Sequence, residues 1–255
     1  EVVSRNPNLT VYSLYNRYDF PCPKPGAQVI LGTPFGTSAE VTREQDRSVQ
    51  LIVKGPDRNL KARVWVPLLR PLIVVEVDAD GLSPAGFWVR VHRHWDTILP
   101  GEPVDPTLGG EKSGTDFERL PAPRAQQGEL LWGIRQEFPA DLTFPSGFRV
   151  VAAATALGAK PVIELKDDTQ GLGTPLWAEK EGRLDHGTVK RYTPINEAPG
   201  AAATATFDRL PKSFAIVVAI VTTQDDPDPL ALAARLLKEA RTLGLEGLRR
   251  EQTEA

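Results

Sequence analysis

The side chains best suited to chemistry in this chain fall on one short segment, FWVRVHRHW at 87–95. A β-strand alternates its side chains across a sheet. Phe87, Val89 and Val91 are therefore expected on one face, and Trp88, Arg90, His92 and His94 on the other. That polar face admits three readings. The first is sugar contact: indole and imidazole rings stack on pyranose rings, and an arginine holds hydroxyls or a carboxylate. The second is metal binding, because His92 and His94 point the same way and can chelate an ion if a third ligand arrives. The only other histidine is His186, so a three-histidine site would use every histidine present. The third is a solvated or partly covered sheet face without a ligand. Trp95 ends the segment beside Asp96 and is the aromatic best placed for a cleft. The candidate carbohydrate-binding residues are thus Trp88, Arg90, His92, His94 and Trp95, and neither a resident metal nor a cofactor is expected.

Catalytic motifs are harder to find. Glycoside hydrolysis needs two carboxylates across a sugar, one of them a raised-pKa acid. Glu76, Asp78, Asp96, Glu137, Asp141 and Asp185 are available, but no spacing singles out a pair. No GxSxG elbow, phosphate-cradling glycine loop or HExxH helix appears. Cys22, in the proline-rich FPCPKPG, reads as part of a packed loop rather than as a nucleophile. It is also the only cysteine, which excludes an internal disulfide and a cysteine-based metal site. No catalytic residue is assigned.

The elements that must position these residues are mostly strands. Segments 9–15, 27–32, 48–54, 60–66, 72–78 and 87–95 are rich in β-branched and aromatic residues and are bounded by Gly, Pro, Asn or Asp. GPDRN at 55–59 and PLLRP at 67–71 read as tight reversals. The pattern continues at 130–135, 147–155, 160–165, 187–192, 201–207 and 213–222. Such spacing predicts a sandwich of antiparallel sheets. Residues 100–129 break the rhythm and read as one long loop, a kind of segment that often completes a site. Trp65 lies opposite Val64 and Val66 and is expected under a C-terminal helix, whereas Trp132 and Trp177 read as packing residues.

Helical spacing begins only at Pro229. Asp228 suits the cap, Pro229 the first turn and Gly244 the end, with Leu230, Ala233, Leu237, Ala240 and Leu243 as the apolar stripe. The piece after Gly244 is expected to lack a neighbour to finish against. The division is therefore a β domain at 1–228 followed by linker helices at 229–255.

Composition sets outer limits. The chain has 255 residues, 41% hydrophobic and 25% charged, which suits a folded globular module. A net charge of −3 without a basic cluster gives no reason to expect nucleic acid, and the longest apolar run, FAIVVAIV at 214–221, is too short to span a bilayer. The chain begins at Glu1 and contains no methionine, so it reads as a processed or trimmed product from which any signal peptide is gone.

Four landmarks carry a resemblance: KARVWVPLLRPLIVVEVDAD, LLWGIRQEFPADL, GFRVVAAATALGAKP and the closing DPDPLALAARLLKEARTLGLEGLRREQTEA. Together they resemble the N-terminal domain of proteins similar to glycoside hydrolase family 95, domain of unknown function 5703. The resemblance spans roughly Ala27 to the C-terminus and implies an all-β, antiparallel β super-sandwich of the galactose mutarotase-like or glycosidase N-terminal type. In such proteins the catalytic carboxylates belong to a helical barrel that follows. The resemblance thus implies a non-catalytic accessory domain that packs on its own C-terminal helical catalytic domain and contributes to binding an oligo- or polysaccharide. It also implies export to the periplasm or beyond. A stand-alone mutarotase-like enzyme, with His92 or His94 and Glu137 as acid and base, and a lectin-like or assembly module are the alternatives.

Overall fold

A computed structural model describes residues 10–11, 22–23, 27–33, 38–56, 58–94, 122–138, 146–167, 176–184, 187–195 and 200–253. In chain order the strands are β1 (Thr10–Val11), β2 (Cys22–Pro23), β3 (Gln28–Gly32), β4 (Ser38–Arg43), β5 (Val49–Lys54) and β6 (Asn59–Trp65). They continue as β7 (Leu72–Asp78), β8 (Trp88–His94), β9 (Arg124–Gln127), β10 (Trp132–Phe138) and β11 (Phe148–Leu157). The last are β12 (Pro161–Lys166), β13 (Leu176–Leu184), β14 (Gly187–Ile195), β15 (Gly200–Phe207) and β16 (Ser213–Thr222), followed by helix α1 (Pro229–Thr253).

The strands form an all-β sandwich. An eight-stranded sheet runs β4-β5-β6-β7-β16-β11-β10-β9 and a four-stranded sheet runs β12-β15-β8-β3, all pairs antiparallel. β1-β2 and β13-β14 make two separate pairs. Cys22 therefore belongs to a short paired strand, opposite Val11, rather than to the packed loop its prolines announced.

The larger sheet is buried on both faces along β7, β16 and β11, which is why FAIVVAIV is uninterrupted rather than alternating. Phe214, Ile216 and Val218 point between the sheets, where they meet Val75, Val77, Ile134 and the inward faces of β8 and β15. Alanines at 152, 154 and 156 on β11 and at 201, 203 and 205 on β15 line this core. Phe87, Phe207 and Phe214 form its aromatic centre, with ring centroids 5.2–5.9 Å apart. Each such pair contributes about 0.5–1.5 kcal/mol beyond its buried area.

The other face of that sheet holds the helix. Ala215, Val217, Ala219 and Val221 of β16, with Leu72, Val74, Val151 and Trp65, receive Leu232, Ala233, Leu236, Leu237 and Ala240. Trp65 is only 2% exposed there, as its place in the alternation implied. Asp228 caps the helix, its Oδ1 accepting the Ala231 N–H at 3.1 Å.

Two expectations about this end are corrected. The stripe does not run through Leu243, which is 37% exposed, and the piece after Gly244 does find a neighbour. Gly244 leaves helical geometry (φ 66, ψ 178) and turns the chain back, so that Leu248 is fully buried on the same sheet. A third correction concerns the long segment at 100–129. Residues 100–121 lie outside the described residues, but Arg124–Gln127 form an edge strand on β10. The carboxylate of Asp167, just past β12, fastens that edge to the smaller sheet. It accepts the Ala125 N–H at 2.6 Å and an Arg124 N–H at 3.3 Å. RAQQ carries no apolar alternation: Ala125 is its one residue packed against the core, and backbone pairing with β10 supplies the rest.

Candidate functional site

The expected alternation along β8 holds. Phe87, Val89 and Val91 are buried in the core between the sheets, while Trp88, Arg90 and His92 lie on the outer face of the four-stranded sheet. Register then decides what surrounds them. Gly32, Trp88, Thr206 and Val162 form one row across β3, β8, β15 and β12. Ile30, Arg90, Thr204 and Glu164 form the next.

Within these rows the indole of Trp88 lies across Gly32. A Cβ at Gly32 would stand 1.9 Å from the ring carbon Cε2, so the ring occupies the space that any other residue's side chain would fill. The Arg90 guanidinium sits over the same ring, 4.1 Å from its centroid, and its Nε donates to Thr204 Oγ1 at 3.0 Å. Partial burial pushes the Arg90 guanidinium below its ordinary value, and the nearby Glu164 carboxylate acts in the opposite direction. The result is a half-buried plate of ring and cation, flanked by a hydroxyl, an exposed carboxylate and Val162, which is 51% exposed. Such a plate supplies apolar area, donors and an acceptor to one ligand. A sugar that stacks on the covered face of the indole competes there with Arg90.

The remaining candidates divide. His92 shares the outer face but is fully buried, opposite Ala202 and Gln28, so it is not part of the accessible plate. His94 ends β8 opposite Gly200. Trp95 and His186 lie outside the described residues, as do residues 100–121 of the segment expected to border the face. Among the described residues, no group of three or more His, Cys, Asp or Glu is placed to hold a metal.

The carboxylates named from sequence also separate. Glu76 and Asp78 are on β7 and Glu137 is on β10, with β16 and β11 between them. Three strand spacings put about 14 Å between those strands, more than the ~6.5–9.5 Å that separates the two carboxyl groups of an inverting glycosidase. Glu76 is also engaged, accepting from Trp65 Nε1 at 2.6 Å and from the Arg249 guanidinium at 2.6 Å. Asp78 instead lines an open polar depression of about 530 Å³ with Arg58, Asn59, Lys61, Asp80 and Gly81. Asp96, Asp141 and Asp185 lie outside the described residues.

Sequence reasoning missed two residues that shape this region. Gly32 gave no signal, because its role depends on a cross-strand neighbour. Arg93 points inward and is 2% exposed, donating from Nε to Gln136 Oε1, itself 1% exposed. Burial pushes the Arg93 guanidinium down to about 9, so it remains a cation at neutral pH inside the sandwich. No protein-family model matches the chain, and no curated protein matches it at a significant level.

Proposed function

We propose that this chain is a non-catalytic accessory domain of a carbohydrate-active enzyme, like the N-terminal module of proteins similar to glycoside hydrolase family 95. On this reading the outer face of the four-stranded sheet is its contact surface for an oligo- or polysaccharide, and a helical catalytic domain is its partner. The observation that carries the reading is the plate built by Gly32, Trp88 and Arg90, with Thr204 and Glu164 beside it. A ring with a cation and a carboxylate beside it offers a polyhydroxylated ligand both faces of its chemistry. Glu76 and Asp78 lie three strands away from Glu137, so neither forms a carboxylate pair with it across a sugar.

The position of Arg90 over the ring favours a second use of the same face, as the seat of a neighbouring domain. Titration with a mixed oligosaccharide library, read by amide chemical shifts, separates the two. Shifts on β8, β15 and β12 that disappear in Trp88→Ala support glycan contact, at a cost of about 1–2 kcal/mol for the lost ring. No shifts on these strands, combined with weaker association of Trp88→Ala with a helical catalytic domain, would support the domain seat and reject the glycan reading.

A further inference from the structure

Helix α1 consists of two pieces with unequal anchorage. Gly244 separates them in a backbone region essentially confined to glycine, and a Cβ there would meet nothing within 4 Å. Before it, Leu232, Ala233, Leu236, Leu237 and Ala240 are all buried against the sheet. After it, the fully buried apolar side chain is Leu248, with Leu245 partly buried. The rest of the grip on this second piece is polar. The Arg249 guanidinium donates to both oxygens of Glu76 at 2.6 and 3.2 Å. Arg70 Nε donates to the Glu251 carboxylate at 2.9 Å, and Gln252 Nε2 donates to the Asp46 carbonyl at 3.0 Å. Arg70 also pairs with Glu239 of the first piece and so sits at the junction.

These two kinds of grip respond differently to salt. Partly exposed ion pairs weaken as ionic strength rises, while apolar burial does not. We propose that residues 245–253 form a hinged strap that swings off the sheet about Gly244 while residues 229–243 stay docked, uncovering Trp65, Glu76 and Arg70. The strap lies over Trp65 chemistry directly: the indole N–H donates to the oxygen of Glu76 that Arg249 also grips. Opening would therefore present a ring, a carboxylate and a guanidinium together, beside the exposed Val66, Leu68 and Leu69 of the β6–β7 turn.

Amide hydrogen exchange on the 255-residue chain tests this. Amides 249–252 should exchange about tenfold faster than those of 236–243, and local opening of this kind is independent of global unfolding. Raising NaCl from about 0.05 to about 0.5 M should speed the first group about threefold and change the second much less, because the Arg70–Glu239 pair of that piece is backed by five buried apolar side chains that screening does not reach. Glu76→Gln keeps an acceptor for the indole but removes the charge, and should act like salt. Leu248→Ala should release the same amides without touching any ion pair. Gly244→Ala should do so as well, since alanine favours a continuous helix that carries Leu248 away from the sheet. Equal rates in both pieces, with the same salt response, would overturn the proposal. So would variants that speed both pieces alike.

Discussion

Replacing Gly32 by alanine should disturb the candidate site through one atom. The new Cβ would lie 1.9, 2.2 and 2.3 Å from Cε2, Cζ2 and Cδ2 of Trp88, whereas unstrained carbon contacts need about 3.5 Å. Gly32 has no positive φ, so the backbone itself accepts alanine. The ring must therefore swing outward, and as it is half-buried it has somewhere to go. It would lose the Arg90 stack, about 0.5–1 kcal/mol, and the cover of roughly 80 Å² of apolar surface, about 2 kcal/mol. Alanine gives back about 0.5 kcal/mol by restricting the unfolded chain. The net loss of about 2 kcal/mol lowers Tm by about 4–8 °C for a chain of this size. Gly133→Ala is the contrast. Its Cβ meets Ala152 O at 2.0 Å and Ala153 Cα at 2.6 Å, and no side-chain rotation relieves a clash with backbone. Parting β10 from β11 should cost about 3 kcal/mol or more. Thermal melts and the near-ultraviolet tryptophan signal read both variants. In a Trp88→Ala background, Gly32→Ala should become nearly neutral, because the obstacle is gone. The reasoning fails if Gly32→Ala melts with the parent, or if its cost survives in that background.

Two further outcomes follow, one from a buried polar pair and one from a separate, exposed cluster of polar side chains. Gln136→Leu removes a buried oxygen that accepts from the buried Arg93 guanidinium and should lower stability by about 2–3 kcal/mol in a denaturant melt. Arg93→Met, which removes the charge itself, should cost less than Gln136→Leu. Asp46 is held below the usual carboxylate range, first by the Ser48 hydroxyl at 2.6 Å, then by the Ser48 N–H, with Arg63 adding to both. The stability this group contributes is present above its unfolded titration point and is lost as pH falls through the lowered folded one. Ser48→Ala should therefore move the Asp46 carboxyl titration upward, as read by carbon-detected resonance.

Much of the architecture is legible because burial imposes a period. Ser213–Thr222 matches its sequence boundaries, since a strand packed on both faces must be apolar throughout. Trp65 is assigned to the helix side by its parity alone, and Asp228 by the chemistry of a cap. Elements without a buried face leave no such trace. β4, SAEVTR, is exposed at all six positions and exists because β5 supplies its backbone partners. RAQQ in β9 comes close to this, with Ala125 as its one residue packed against the core. Leu243 and Leu248 show a different limit. Both fit a helical stripe on paper, but the dihedral angles of one glycine decide which of them reaches the sheet.

For the candidate site the limit is register. Alternation along β8 assigns Trp88, Arg90 and His92 to one face but is silent on what stands across from each. Gly32 opposite Trp88 and Thr204 opposite Arg90 turn two of these residues into a plate, whereas Ala202 and Gln28 flank a His92 that has no exposed surface. Three side chains equivalent by sequence pattern are thus unequal by environment. The difference follows from pairings between strands more than fifty residues apart, which no local period encodes. For the same reason Gly32→Ala probes this site more sharply than a substitution at His92. It changes the neighbour that defines the plate and substitutes no polar group of the face.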